Sequence, residues 1–428
     1  MSRLPEPSDL DAAIERFRDR AVSFLERIVA APSTVGEEGR AQELVAEELG
    51  RLGFRVSLLP IPESIGEDPL AGVPLTAYEG RCDVLGRLEA GAGPSLLLNG
   101  HIDVVPADDP ELWVSPPFTP RIHDGRLYGR GSGDMKGGFA MATLALEALL
   151  TVAPGLLRGS LSFLSVIEEE CTGNGTLAAA RAGVLADAVV LPEPTDLKLL
   201  LAGVGILWLD VTVDGEAAHA QSADTVVNAL DAAMVVIDAL REFEADMNRQ
   251  WSEPLFTDSR HPYNVNVGIL RAGDWGSSVP ARARMRVRIG HPTHWSSDEA
   301  EQRVREAILD ACSGHGWLRE HPPWIRASGF RAQGYALDPF HPLASRLSDA
   351  HREVHGSAPE VVRLASTTDA RLYVNSFSTP ALCYGPRAHR IHGIDECVEL
   401  DSIVRGAKTL ARFIARWFAD PPESEVAA

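Results

Sequence analysis

Four apolar runs of this chain end in side chains that can ligate or move a proton. Ser95-Leu-Leu-Leu-Asn-Gly leads into His101-Ile102-Asp103, Leu161 to Ile167 into Glu168-Glu169-Glu170, Ala188 to Pro192 into Glu193, and Ala381 to Pro386, after a loop, to His392. A buried carboxylate without a cation costs several kcal/mol or takes up a proton. Consecutive acids at strand ends therefore point to a metal site. Residues two apart on an extended segment face the same way, so Asp103 is expected to accept the proton of one His101 nitrogen while the other binds metal. Taken singly, His101 reads equally well as an ordinary core histidine, and the three glutamates as a solvated turn. Their convergence is what favours a site. Between the first two runs, Gly129-Arg-Gly-Ser-Gly-Asp134-Met-Lys-Gly-Gly138 opens a helix. Lys136 is followed by glycine rather than Ser/Thr, against a nucleotide loop, but such a turn can carry Asp134 into a site where one carboxylate bridges two cations.

The elements that must hold these groups follow from periodicity. Helical spacing covers Leu10 to Ala31, Glu37 to Leu52, Gly137 to Val152, Thr176 to Ala182 and Asp401 to Phe418. A strand is expected over Phe54 to Leu59. Strands apolar on both faces belong in a sheet covered by helices on both sides, which predicts an α/β fold with a mixed, largely parallel sheet. Ligands in such folds gather beyond the carboxyl ends of the strands, where the four ionisable endings fall.

The middle of the chain differs. Trp208 to Asp214, Tyr263 to Leu270 and Ala281 to Ile289 alternate apolar with polar residues, with helices expected at Val226 to Met247 and Asp298 to Ala311 and a last strand at Trp324 to Phe330. That order, strand-helix-strand-strand-helix-strand, predicts an inserted ferredoxin-like α+β unit. The expected division is 1–203 and 334–428 for the larger domain and 204–333 for the insert.

At 428 residues the chain is long enough for two or three cores. Sixty acidic against 40 basic side chains give a net charge of -20, which argues against nucleic acid and anionic membranes as partners. The first residues lack the basic and apolar pattern of a secretory peptide, so a cytoplasmic location is expected. Five scattered cysteines without a CxxC pair predict reduced thiols. The acidic stretch after Asp420 is expected to lie outside the core.

Gly100-His101-Ile102-Asp103-Val104-Val105-Pro106, Trp113 with Pro117-Phe118, and Asp124-Gly-Arg-Leu-Tyr-Gly-Arg-Gly131 through Asp134-Met-Lys-Gly-Gly138 closely resemble the two-metal amidohydrolases. That family includes acetylornithine deacetylase, succinyl-diaminopimelate desuccinylase, aminoacylase and carboxypeptidase G. The likeness continues through Glu169-Glu170 with Gly175-Thr176, Glu193-Pro194-Thr195, Thr368-Asp369-Ala370-Arg371, Gly385-Pro386 and His392-Gly-Ile-Asp-Glu396. It spans residue 95 onward. The chain departs from the family in having Pro192 where glycine is usual.

The resemblance implies a zinc-peptidase-like catalytic domain with an inserted dimerisation or lid domain. It implies two zinc ions, replaceable by cobalt, bridged by Asp134, with His101 and Glu193 completing one site and Glu170 and His392 the other. Asp103 would orient His101, Glu169 would act as general base on a hydroxide bridging the metals, and His219 would donate to the oxyanion. Counting back from Gly175-Thr176 selects Glu169 and Glu170, and a register one residue earlier stays open. Asn266, Arg288 and Arg371 are further candidates for holding a substrate carboxylate. The activity implied is cleavage of the amide of a small N-acylated amino acid or amine by a homodimer. A dipeptidase or glutamate-releasing carboxypeptidase is the alternative. A non-catalytic binding relative would be expected to have lost a ligand or the base, and none of those residues is missing.

Overall fold

The computed structural model describes residues 4–256 and 259–420. The stretch after Asp420 lies outside them. The larger sheet has nine strands, in the order Arg55–Pro60, Cys82–Ala90, Gly159–Val166, Ser95–His101, Val189–Leu191, Ala381–Cys383, Leu199–Gly203 and Tyr335–Ala336, with Val361–Leu364 also pairing Leu199–Gly203. Its centre is parallel: Ser95–His101 runs parallel to both neighbours, and Ala381–Cys383 parallel to Val189–Leu191. Antiparallel pairs flank that centre on both sides, so the sheet is mixed and partly parallel.

Helices cover both faces. Pro7–Ala30, Gly39–Arg51, Gly137–Val152, Pro342–His355 and Leu400–Ala419 pack one apolar cluster, while Asn174–Arg181 and Ala370–Ser376 close a second on the other face. Ser132–Val152 is long and apolar enough to cross a membrane, but 83% of that window is buried within the fold, the signature of a core helix. All five cysteines are free, and all but Cys82 are buried.

A separate four-stranded antiparallel sheet is built from Gly205–Asp214, Val265–Ala272, Arg282–His291 and Trp324–Ala332. Helices Ala229–Gln250 and Ser297–Ser313 cover one face of it. Along Gly205–Asp214, Leu207, Leu209, Val211 and Val213 point into that cluster, and Trp208, Asp210 and Thr212 point to the open face. The chain passes between the two sheets twice, through Val204 and through Gln333-Gly334. The crossings touch: a Cβ on Gly334 would lie 2.9 Å from the Gly203 carbonyl and 2.9 Å from the Gly205 nitrogen. Two short, closely packed crossings fix the open face of the small sheet against the large one.

Candidate active site

The parallel strands deliver their carboxyl ends to one place. His101 closes Ser95–His101, Glu169 and Glu170 lie on the turn after Gly159–Val166, and Glu193 follows Val189–Leu191. Asp134 comes from the glycine-rich turn ahead of Gly137–Val152, and His392 from the loop between Ala388–His389 and Cys397–Glu399. The ligating atoms of His101, Asp134 and Glu193 all lie within 4.8 Å of one another, as do those of Asp134, Glu170 and His392. Asp134 is common to both groups. Its Oδ1 is 3.2 Å from His101 Nε2 and its Oδ2 is 3.5 Å from His392 Nε2, while His392 Nε2 lies 3.0 Å from Glu170 Oε2.

The electrostatics fit a pair of cations. Burial raises the Glu169 carboxyl well above its usual range and lifts Glu193 to about 8, with the neighbouring acids adding to both. The Glu170 charge, followed by contacts with Asp134, raises His392 to about 11. Without positive charge the cluster takes up protons, whereas two dications would hold the same groups in their ligating forms.

The turns are held from behind. Glu396 is buried, and its carboxylate accepts from the backbone N–H of Gly131, Gly133 and Asp134 at 3.0, 2.8 and 2.9 Å and from Arg130 at 2.6 Å. It is the anchor of the loop that carries Asp134. Glu168, at a left-handed φ of 64°, points away from the cluster. Its carboxylate accepts from Arg81 and Tyr78 at 2.6 Å each and from Thr172 at 2.8 Å. That placement leaves Glu169 and Glu170 at the cavity and turns the earlier register away from it.

Three of the expected residues make contacts within this chain other than those expected. The His101 Nδ1 proton has the backbone carbonyl of Asp103 at 2.9 Å, whereas the Asp103 carboxylate is 3.7 Å away. That carboxylate instead accepts the N–H groups of Glu169 and Glu170, at 3.2 and 3.1 Å, and so sets the position of the acidic turn. Arg371 is buried and donates to the carbonyls of Thr172 and Thr368 and to Asp369, because it starts a helix that faces the core, and it does not line the cavity of the metal cluster. His219 lies beyond the end of Gly205–Asp214 on a two-stranded pairing with Ser278–Val279. It is exposed there, accepts the Gln221 N–H, and stands outside that cavity.

The cavity has a volume of about 1310 Å³. Asp134, Glu169, Glu170, Glu193 and His392 line its floor, and the open face of the small sheet supplies Trp208, Asn266, Arg286, Arg288 and Phe330 opposite. Arg286 is paired with Asp210 at 2.8 Å. Arg288 donates to the Ala365 and Asn264 carbonyls at 3.0 and 3.4 Å, and burial lowers its guanidinium to about 10. No carboxylate pairs with it among the salt bridges of the described residues. Trp208, Phe330 and Glu396 escaped the sequence reading of the site, although Glu396 stands within the His392-Gly-Ile-Asp-Glu motif.

Acids and imidazoles gathered at strand ends, in two groups sharing one carboxylate, define a class of metal-binding hydrolase. The profile of peptidase family M20/M25/M40 matches residues 97–416, and the chain belongs to that family. An N-formyl-4-amino-5-aminomethyl-2-methylpyrimidine deformylase of Halalkalibacterium halodurans is 25% identical over 97% of this chain and 99% of its own. Among solved structures, the dipeptidase Dug1p of Saccharomyces cerevisiae superposes with a TM-score of 0.81 at 17% identity, covering 99% of this chain and 100% of that one. A Bacillus subtilis protein described as a dinuclear metal-binding M20 peptidase gives a TM-score of 0.59 at 14% identity, over 94% and 98%.

Proposed function

We propose that the protein is a two-zinc amidohydrolase that removes a small acyl group, of formyl or acetyl size, from the amine of a small molecule. The observation that carries this reading is the pair of three-ligand groups meeting at Asp134 with Glu169 beside them on one cavity wall. His101, Asp134 and Glu193 would hold one cation, and Asp134, Glu170 and His392 the other, with cobalt an effective substitute. A metal pair supplies Lewis acidity toward a carbonyl oxygen and water of near-neutral pKa.

The chain's own residues do the rest. The Nδ1 proton of His101 rests on the Asp103 carbonyl, which leaves Nε2 free to ligate. Glu169 stands 3.9 Å from His101 Nε2 on a turn fixed by Asp103, placed to take a proton from the attacking water and return it to the departing amine. Burial raises the proton affinity of its carboxylate, which suits a base that draws a proton from the attacking water and passes it on. Arg288 and Asn266 face the substrate from the opposite wall, and the buried Arg288 suits an anionic or strongly accepting group.

The curated relative acts on an N-formyl amine, which supports acyl removal over peptide cleavage. Kinetics of the zinc-loaded protein on N-formyl, N-acetyl and N-succinyl amines beside a dipeptide panel test the reading. Turnover of the short acyl amines is expected, and turnover confined to dipeptides overturns it. We also propose a homodimer, since Val265–Ala272 is an edge strand whose Ile269 and Leu270 are exposed. Light scattering giving the mass of one chain would refute the dimer.

A further inference from the structure

The wall opposite the metal ligands contains a built aromatic corner. Between Ala327 and Arg331 the strand Trp324–Ala332 shifts register against Gly205–Asp214, and such a bulge re-aims the side chains it carries. Gly329, at φ 56°, is its pivot: a Cβ there would lie 2.5 Å from Trp208 Cε3, so only glycine lets the indole rest against the backbone. The same glycine exchanges two backbone hydrogen bonds with Val73, of 2.7 and 3.0 Å, which ties the bulge to the larger domain. Phe330, next in the chain, meets Trp208 edge to face with centroids 5.5 Å apart and planes at 82°. Arg371 lies 5.5 Å from the Phe330 ring centre and Arg286 lies 6.0 Å from that of Trp208. Both guanidiniums are held by Asp369 and Asp210. The two rings are fixed before any ligand arrives, and both line the cavity.

A short acyl group fills only the metal end, so whatever meets this corner belongs to the amine. We propose that the amine released carries a planar aromatic or heteroaromatic ring, seated against Trp208 and Phe330, which act as specificity-determining residues; this rests on the amidohydrolase reading above. Two fixed rings at right angles offer a third ring both an offset face and an edge, an arrangement a saturated ring of equal size cannot use.

The test compares kcat/KM of the zinc-loaded full chain for N-formylbenzylamine and N-formyl-cyclohexylmethylamine, and calorimetric Kd values for benzylamine and cyclohexylmethylamine. The aromatic member should be favoured about three- to tenfold in both measurements. Trp208→Leu and Phe330→Leu should bring the ratio to about one, chiefly through KM, while Trp208→Phe should retain most of it. Trp208→Phe also guards against misfolding, because it removes an indole N–H that has no partner and keeps a ring in place. Equal hydrolysis and equal binding of the two members would overturn the aromatic corner and leave the amidohydrolase standing. A preference that survives both leucine variants overturns it too. If neither formamide is cleaved but benzylamine still binds with a Trp208-dependent preference, the deformylation reading fails and the corner stands.

Discussion

The floor and the roof of the cavity are built on opposite plans. On the floor the turns that carry Asp134 and the Glu169-Glu170 pair are pinned through their backbone N–H groups by buried carboxylates, Glu396 under the first and Asp103 under the second. The roof is one face of an antiparallel sheet, where single side chains of neighbouring strands stand side by side, as Trp208 does opposite Arg288 and Asp210 opposite Arg286. A floor residue moves only if its neighbours move. A roof residue can be exchanged almost alone, so chemistry belongs to the first region and selectivity to the second.

The largest effect that would break this division is at Asp134. Asp134→Asn should lower metal content from two ions per chain toward zero and activity to background, measured by elemental analysis beside the assay. Glu169→Gln should instead keep both metals and lower kcat by about 10³-fold, within the range for a positioned acid-base group. Metal loss in Glu169→Gln would make it a ligand rather than a base. Glu396→Gln should weaken metal binding by about 10- to 100-fold, read by chelator competition, with kcat restored at saturating zinc. Normal affinity in that variant would show that the loop carrying Asp134 stands without its anchor.

The same division decided what could be read from the sequence. His101, the Glu169-Glu170 pair and Glu193 were legible because they follow apolar runs, and a strand that stops at an ionisable group leaves a mark in one dimension. Asp134 was marked by the glycines around it. The inserted unit was legible because its period changes to strict alternation. Side-chain direction was not. Arg371 sits in a motif like the other candidates, yet its guanidinium turns inward to Thr172 and Asp369, partners about 200 and two residues away in sequence. Asp103 and His101 do lie close, but the backbone carbonyl rather than the carboxylate faces the imidazole. His219 follows an expected strand, and only the long-range pairing with Ser278 places it outside the cavity within this chain. Trp208 and Phe330 looked like ordinary strand residues because the bulge that brings them together has no signal beyond one glycine.

On the roof, Arg288→Ala should raise KM for an anionic substrate by about 10- to 100-fold and leave kcat and metal content unchanged, the loss expected for a charge-assisted contact. A fall in kcat with KM constant would move Arg288 into the chemistry and weaken the contrast between the two walls.

The smallest effect tests the scaffold beneath the floor. Helices Pro342–His355 and Leu400–Ala419 enclose stacked imidazoles of His351 and His355, with ring centres 3.9 Å apart. His355 Nδ1 accepts from Arg405 at 2.8 Å and its Nε2 faces Thr409, while His351 Nδ1 faces the Tyr384 hydroxyl. Burial, then the nearby positive charge, lowers both groups to about 4. An unfolded histidine titrates near 6.5, so below that pH the unfolded chain binds protons that the fold refuses. The stability these residues contribute is complete above about 6.5 and is lost as pH falls toward about 4. In metal-free protein, the drop in melting temperature between pH 7 and pH 4.5 should therefore be smaller in His355→Gln than in the wild type, by a few degrees. An equal drop in both would mean that the stacked pair does not couple the scaffold to pH.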